Sequence, residues 1–286
     1  MKTPKPLISY YGGKQRMASR IVAELQKIPH NIYAEPFCGG AAVLFKKPLP
    51  IVSNRDSYRE ALNDTNDLVT NLYRVARSDG AALEQMLALT PYSRTEHGRA
   101  VEICKGASAS DLERAWALVV NISMSFAKSV NGSWGYAVKG ANLGAIWANK
   151  RSAFSESIAR LNSVHIDNSD ALSFIERWDA PDALFYCDPP YVGTRCEHYS
   201  GYTINDFSNL CRKLDSIQGS YVLSCYDQGD VMPESCQRRV DIASYCSVAK
   251  NRTNCDNART EVLWICDRST QKNQAAMLPL LSLLAG

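Results

Sequence analysis

The chain has 286 residues, of which 45% are hydrophobic and 21% are charged, a composition that predicts a folded globular protein with a substantial core. A formal net charge of +3 permits a nucleic-acid partner but is too small to predict one. The ten cysteines are scattered without CxxC spacing, which favours free thiols in a reducing, cytoplasmic compartment over a disulfide or zinc scaffold. No segment is apolar for long enough to span a membrane, and the first residues lack the apolar core of a signal peptide.

The first candidate ligand-binding segment is an apolar run that ends at Gly12-Gly13-Lys14. Glycine allows the backbone to approach a ligand closely, and the lysine places a cation near the start of the next helix. A glycine turn with a solvated lysine is the alternative. The helix is predicted from an apolar face at helical spacing, formed by Met17, Ile21, Val22 and Leu25.

Residues 31–45 have the pattern of a strand, a glycine turn at Gly39-Gly40 and a helix of small and apolar residues. This order is typical of the first βα unit of a Rossmann-like nucleotide site, where glycine removes the side chain that would block the ligand. The G-x-G-x-x-G pattern is absent, which disfavours a nicotinamide cofactor. Phe37, beside the glycines, can pack either on a ligand or in the core.

A short second strand is predicted at 59–62, followed by Asn63-Asp64-Thr65-Asn66 and another helix. An acidic residue at the end of the second strand is where such folds bind a pair of ribose hydroxyls. The alternative is that Asp64 caps the following helix. Both roles are compatible if Asn66 or Thr65 provides the cap.

The βα alternation stops between residues 78 and 160, where two or three helices are predicted. The clearest spans 111–125 and carries an apolar stripe typical of a core-facing helix. The stretch 128–144 then combines glycines, aromatics, amides and lysines without helical periodicity, and Lys150-Arg151 follows it. Such a loop or hairpin suits contact with phosphates and base edges. A mobile surface loop is the alternative.

Strands and helices then alternate again, with strands predicted near 163–167, 182–187, 221–225, 240–247 and 260–267. His165 lies within the first of these apolar runs, which predicts a core position. The segment 192–202 is polar and rich in glycine, and we expect it to form a mobile lip at the site.

The strand at 182–187 leads directly into Asp188-Pro189-Pro190-Tyr191. Proline cannot donate a backbone hydrogen bond, so the strand ends there, at the edge of the sheet where α/β folds bind ligands. Asp188 and a carbonyl near Pro189 could accept the two hydrogens of a planar amino group and free its lone pair, while Tyr191 stacks on the ring. The alternative is a proline turn whose aspartate caps a neighbouring group.

Four motifs now stand in order, and together they resemble the Dam-like family of DNA adenine-N6 methyltransferases (D12 class, alpha group). The resemblance implies a Rossmann-like, seven-stranded fold that uses S-adenosylmethionine. Its catalytic domain would comprise 1–77 and 161–286, and 78–160 would be an inserted target-recognition region. The motifs are Tyr11-Gly12-Gly13-Lys14, Glu35-Pro36-Phe37-Cys38-Gly39-Gly40, Asn63-Asp64-Thr65-Asn66 and Asp188-Pro189-Pro190-Tyr191.

The resemblance also implies residue roles. Asp64 would hold the ribose hydroxyls of the cofactor, Asp170 would hold its adenine amine, and Asp188, Pro189, Pro190 and Tyr191 would hold a flipped target adenine. The full set of implied cofactor-binding residues is Tyr10, Lys14, Phe37, Gly39, Asp64, Asp170 and Asp188.

The implied partner is duplex DNA, and the protein would act as a monomer or a homodimer without a metal ion. It would function either alone or together with a restriction nuclease. Ala41 replaces a glycine of the family pattern, a mild change that preserves space. The stretch 128–151 departs from the Arg/Asn-rich hairpin of the GATC-specific members, so the resemblance does not fix the target sequence. The candidate DNA-binding residues are Lys128, Asn131, Trp134, Tyr136, Lys139, Lys150, Arg151 and Arg195.

Two other functional classes stay open at this point. Related Pro-Pro-Tyr motifs serve methyltransferases that act on RNA or on a small or protein amide. A catalytically silent DNA-binding regulator could also be built on the same fold. The inserted region argues against the first class, and the complete set of motif residues argues against the second.

Overall fold

The computed structural model describes residues 4–10, 13–49, 57–192, 201–245 and 258–269. The chain folds into two compact units. The first comprises Met1–Ala18, Cys38–Ile51 and Glu60–Asp170, and the second comprises Ser19–Phe37, Val52–Arg59 and Ala171–Gly286. Residues 78–160 belong to the first unit, so their separation as a target-recognition insertion stays a prediction. In the described ranges, no helix combines the length and the apolarity needed to cross a bilayer.

Seven strands form one mixed sheet, which confirms the predicted seven-stranded α/β fold. The strands are β1 (Ile32–Glu35), β2 (Arg59–Asn63), β3 (Val164–Asp167), β4 (Ala183–Cys187), β5 (Ser220–Cys225), β6 (Arg238–Tyr245) and β7 (Ala258–Cys266). Their order is β3-β2-β1-β4-β5-β7-β6. This is a Rossmann-like order in which the antiparallel strand β7 separates β5 from β6.

From α1 to β5 the helices alternate with the strands, except between β2 and β3, where five further helices follow α3. The helices are α1 (Ala18–Leu25), α2 (Ala42–Lys46), α3 (Asp67–Ser78), α4 (Gly80–Leu89), α5 (Arg94–Cys104), α6 (Asp111–Met124), α7 (Leu143–Arg151), α8 (Phe154–Leu161), α9 (Ala171–Trp178) and α10 (Ile204–Ser216).

In the second unit, β1, β4 and β5 run parallel, so their carboxyl ends lie at one edge of the sheet. Every residue of β4 and β5 is buried, as expected for central parallel strands. Strand β7 runs antiparallel to β5, with Val262 opposite Cys225. The described start of β7 therefore lies beside the end of β5, at the same edge as the residues that follow β4.

In the first unit, β2 and β3 pair in parallel, with Asn63 opposite Asp167. The prediction that His165 lies in the core is wrong, because the side chain is exposed. Strand β3 is at the edge of the sheet, and an edge strand leaves alternate side chains facing solvent.

The prediction of two or three helices between residues 78 and 160 is also wrong, since the structure has five, α4 to α8. The clearest predicted helix, α6, is confirmed. It begins at a capping box between Ser110 and Glu113, and its stripe around Trp116 and Val120 is fully buried. Helices α4, α5 and α7 have weak amphipathic patterns, so the apolar periodicity of the sequence does not mark them as separate helices.

Candidate active site

In the first unit, the glycine turn after β1 is shaped by the ring of Tyr10. Gly39 has a φ of +46°, and a Cβ atom there would lie 3.1 Å from the Tyr10 ring. A Cβ atom on Gly40 would lie 3.1 Å from the carbonyl oxygen of Ile8 and 3.2 Å from Tyr10 Cβ. Because both positions exclude a side chain, the turn presents bare backbone, as the sequence predicts for a ligand-binding turn.

Ala41 follows the glycines and adopts the left-handed conformation, with a φ of 49°. Its methyl group is buried, so the alanine fits the available space as predicted. The backbone is nevertheless strained, because a Cβ atom in this conformation costs about 1–2 kcal/mol. The change from the glycine of the family pattern therefore preserves space at a cost in backbone energy.

The carboxylate of Asp64 is held at the end of β2 by two backbone N–H groups. Gly39 donates to Oδ2 and Asn66 donates to Oδ1, each at 2.9 Å. Burial raises the pKa of Asp64, and the two N–H groups oppose that rise. Each oxygen accepts one of these bonds, and a carboxylate has about four lone-pair sites, so Asp64 has further acceptor capacity.

The alternative role for Asp64, that of a helix cap, is filled by Asn66. The Asn66 side chain accepts from the N–H of Leu68 at 3.1 Å and caps α3. Its amide nitrogen donates to the Tyr10 hydroxyl at 2.9 Å. Burial, together with the nearby Asp64, raises the pKa of Tyr10 to about 12, so this phenol stays protonated at neutral pH.

The loop after β3 is fixed against the end of β2, and it carries Asp170. The buried Asn63 side chain accepts from the Ser169 N–H at 2.9 Å and donates to the Ser169 carbonyl at 3.0 Å. Asn168 donates to the backbone carbonyl of Asp64 at 2.7 Å. These bonds bring the loop with Asp170 to the same strand end as Asp64. Sequence analysis missed the positioning roles of Asn63 and Asn168, although a buried asparagine at a strand end beside Asp64 was the available signal.

Two other predicted cofactor residues have distinct surroundings. Lys14 is buried, so the alternative of a solvated lysine is wrong. Phe37 is half-buried and meets the ring of Tyr202 edge-on, with 6.4 Å between centroids. The Tyr202 hydroxyl is buried and has no hydrogen-bond partner among the described residues. The Phe37 ring is therefore partly accessible to solvent and is not fully buried in the core.

In the second unit, Asp188 and Tyr191 lie together after the buried strand β4. The Tyr191 hydroxyl is 3.4 Å from Asp188 Oδ1. The Tyr191 ring packs edge-on against Tyr226, with 4.7 Å between centroids. Pro189 is buried and Pro190 half-buried between them. The motif is thus a carboxylate and an aromatic ring fixed at the carboxyl end of a central strand.

A buried glutamate on β7 joins this motif. The Tyr191 hydroxyl donates to Glu261 Oε1, and the Ser224 hydroxyl donates to the same oxygen at 2.8 Å. Burial, with the Asp188 and Glu261 carboxylates, raises the pKa of Tyr191 well above its usual value. Sequence analysis missed Glu261 and Ser224. The signal was a glutamate inside the apolar run of β7.

A second glutamate and a second phenol lie near the same strand ends. Glu35, at the end of β1, is buried and accepts from the Tyr33 hydroxyl at 2.8 Å. The Tyr186 hydroxyl is buried, and burial and the carboxylates of Asp188, Glu261 and Glu35 raise its pKa. In the described ranges, no cluster of His, Cys, Asp or Glu is arranged to hold a metal ion.

The predicted DNA-contacting stretch, residues 128–151, contains a stack of aromatic side chains at its centre. Trp134 stacks on Tyr136 with 5.7 Å between centroids and 15° between planes, and the Arg94 guanidinium lies 5.0 Å from the Trp134 ring. Tyr136 is 66% exposed, so one face of the stack is accessible. Asn131 has a different environment, because its side chain accepts from Asn121 at 2.8 Å and secures the loop.

The four candidate cations in this stretch divide into two pairs. Lys128 and Lys139 are exposed. Lys150 donates to the Ser123 hydroxyl at 2.7 Å, and burial, with the nearby Lys128, lowers its pKa to about 7. Arg151 donates to backbone carbonyls at the end of α4, including that of Ala88. Arg195 lies outside the described residues.

Comparison with known proteins places the chain in a family. Among solved structures, it is similar to the rRNA methyltransferase aviRa from Streptomyces viridochromogenes, with 15% identity over 90% of this chain and 86% of that chain and a TM-score of 0.38. No curated protein matches it. The family model of D12 class N6 adenine-specific DNA methyltransferases matches residues 10–98 and 125–235, a span that includes Asp64 and Asp188. The chain therefore belongs to the D12 class N6 adenine-specific DNA methyltransferase family.

Proposed function

We propose that this enzyme flips an adenine out of a specific duplex DNA site and transfers a methyl group from S-adenosylmethionine to its exocyclic amine. The observation that carries the proposal is the position of Asp188, a carboxylate directly after a fully buried parallel strand with the Tyr191 hydroxyl 3.4 Å away. The edge at the carboxyl ends of such strands is where α/β folds bind their substrates.

The first unit offers groups that fit the cofactor. When bound, S-adenosylmethionine supplies an electrophilic methyl group on a sulfonium sulfur. Asp64 would accept from the ribose hydroxyls, since its two N–H donors leave acceptor capacity on both oxygens. Asp170 would accept from the adenine amine. Gly39 would present bare backbone beside Tyr10, and Lys14 would complete the cofactor-binding residues of this unit.

Base flipping follows from the geometry of duplex DNA. The exocyclic nitrogen of a stacked adenine cannot reach a methyl donor in line, so the base must leave the stack. Asp188 and the Pro189 carbonyl would each accept one hydrogen of the amine, which frees the nitrogen lone pair. As the nitrogen bonds to the methyl carbon, positive charge develops on it, and the fixed Asp188 carboxylate stabilises that charge in a water-poor site.

Recognition of the sequence around the adenine is assigned to residues 128–151. A pocket for a flipped base distinguishes adenine from other bases but does not contact its neighbours. The exposed Tyr136 and the amides of this stretch would contact base edges, and the exposed Lys128 and Lys139 would contact phosphates. Lys150 and Arg151 would have to exchange their internal hydrogen bonds for phosphates in order to take part.

The test uses the purified protein, duplex DNA of mixed sequence and S-adenosylmethionine labelled in the methyl group. Label should appear in N6-methyladenine after enzymatic digestion of the DNA to nucleosides. Asp188→Ala should abolish this product and keep the affinity for S-adenosylmethionine within about tenfold, or ~1.4 kcal/mol, because Asp188 is assigned to the target amine. Glu176→Ala, which changes an exposed glutamate of the same unit, is the matched control.

Three results would contradict the proposal. In a parallel reaction with RNA as the acceptor, label in RNA together with none in DNA would assign the enzyme to another substrate class. Label found in a base other than adenine would rule out the assigned chemistry. Calorimetry that showed lost cofactor binding with intact methylation in Asp188→Ala would reverse the role given to that residue.

A further inference from the structure

We propose that Glu261 is a positioning residue, which turns the proton of the Tyr191 hydroxyl away from Asp188 so that Asp188 can take the proton released by the methylated amine. The inference rests on the proposed function, because it assigns a role within the same reaction. It goes beyond that function in naming a residue of β7 and the direction of a hydrogen bond.

The first step is the direction of the bond between Tyr191 and Glu261. The phenol has a single proton for two carboxylate acceptors, Asp188 and Glu261, and the proton points toward Glu261 because the Glu261 oxygen is the nearer of the two. The Ser224 hydroxyl donates to the same Glu261 oxygen at 2.8 Å and fixes that oxygen as an acceptor. Glu261 is only 4% exposed, so water does not compete for these bonds.

The second step concerns the side of Tyr191 that faces Asp188. With its proton directed to Glu261, the Tyr191 oxygen presents lone pairs to Asp188 Oδ1, and the 3.4 Å separation is longer than an ordinary O–H···O hydrogen bond. Two acceptor oxygens without a proton between them repel each other. A proton that arrives on Asp188 would remove this repulsion and make Asp188 the donor in a new hydrogen bond to Tyr191.

The third step is the balance of the reaction. The nitrogen lone pair forms the new N–C bond, and the electron pair of the breaking C–S bond stays on sulfur. The nitrogen then carries a positive charge and one hydrogen too many. That hydrogen leaves as a proton to Asp188, and its bonding pair stays on nitrogen. The arrangement of Tyr191 and Glu261 favours this last transfer because the protonated Asp188 gains a hydrogen-bond partner.

The variant Glu261→Gln tests this direction with almost no change in shape. Glutamine can donate as well as accept, and an ionised Asp188 is a stronger acceptor than an amide oxygen. In the variant, the Tyr191 proton therefore turns to Asp188 and occupies the oxygen that should receive the leaving proton. Loss of a positioned acid–base step costs about 10²-fold or more, and loss of its orientation alone should cost about tenfold.

The measurement is the single-turnover rate of methyl transfer to duplex DNA, together with the dissociation constants for DNA and S-adenosylmethionine. Glu261→Gln and Tyr191→Phe should each lower the rate about tenfold and keep both dissociation constants within about threefold, since phenylalanine keeps the ring that stacks on the base and neither the Tyr191 hydroxyl nor Glu261 is assigned to binding. The double variant should be no slower than the slower single variant, because both changes remove one unit of function. Thermal unfolding checks that each variant is folded.

The outcomes separate this inference from the proposed function. If Asp188→Ala still methylates adenine, the proposed function itself fails. If Asp188→Ala is inactive but Glu261→Gln keeps a rate within about twofold of the wild type, only the role of Glu261 is wrong. Rate losses that multiply in the double variant would also overturn it, because they would show that Glu261 and Tyr191 act independently.

Discussion

Replacing Asp64 with asparagine should weaken cofactor binding and loosen the glycine turn together. Both carboxylate oxygens accept a backbone N–H at 2.9 Å, one from Gly39 and one from Asn66. Asparagine keeps the shape but has a single oxygen, so one of these N–H groups would face the NH2 group of the new side chain. The change therefore removes a charged acceptor from the ligand and an acceptor from the fold.

The expected magnitudes follow from these contacts. A hydrogen bond to a charged group contributes about 1.5–3 kcal/mol, which corresponds to a rise of about 10- to 150-fold in the dissociation constant for S-adenosylmethionine. One buried N–H left without an acceptor should lower the free energy of unfolding by about 1–3 kcal/mol. Calorimetric titration gives the first quantity, and denaturant unfolding without ligand gives the second.

The exposed neighbour Thr65 provides the matched control. Thr65→Ala changes the same turn without touching the carboxylate, and it should keep both quantities near the wild-type values. If Asp64→Asn lowers stability but binds the cofactor within about twofold of the wild type, Asp64 supports the turn and does not bind the ribose. Unchanged stability would instead refute the two-donor geometry of the carboxylate.

Three further predictions concern residues 128–151. Lys139→Ala should weaken binding to all DNA sequences and reduce the slope of affinity against salt by about 1, whereas Tyr136→Ala should narrow the gap in methylation rate between the preferred site and its single-base variants. Unchanged rate ratios across the stretch would place recognition elsewhere, such as in residues 192–202. Burial lowers the pKa of Lys150 in the folded protein to about 7, from its ordinary value of 10.5. Between these pH values the unfolded chain therefore binds more protons than the folded protein, so the free energy of unfolding should increase as pH rises from 7 to 10. The difference in unfolding free energy between wild type and Lys150→Met should therefore shift in favour of the wild type over that range, and a difference independent of pH would contradict the burial of this lysine.

Local patterns were sufficient for the elements that carry the motifs. Strand β4 is a short apolar run ended by two prolines, and helix α6 has a complete apolar stripe, so both were predicted correctly. Asp64 and Asp188 each follow a strand directly, and the parallel pairing of strands then puts such residues at a sheet edge. The number of helices in the region 78–160 was underestimated, because the weak amphipathic periodicity of α4, α5 and α7 leaves little local signal.

Bonds between distant parts of the chain were beyond the reach of these patterns. Glu261 is 70 residues from Tyr191 in sequence, and Asn63 is 106 residues from Ser169. Each pair meets only because particular strands are neighbours in a particular register. A glutamate in an apolar strand indicates a buried partner. That partner is identified only once β7 is known to pair with β5, because this pairing places the start of β7 beside the end of β5.

The order of residues along single segments was enough to predict the family, most of the strands and the acidic residues that follow them, because each of these is a local pattern. The tertiary structure decided which polar groups are available to a ligand. Lys128 and Lys150 are both lysines of the predicted DNA-contacting stretch, yet one is exposed and the other is turned inward to Ser123. Burial removes water from a charged group and commits it to a partner, and which side chains are buried depends on the packing of whole helices rather than on residue type.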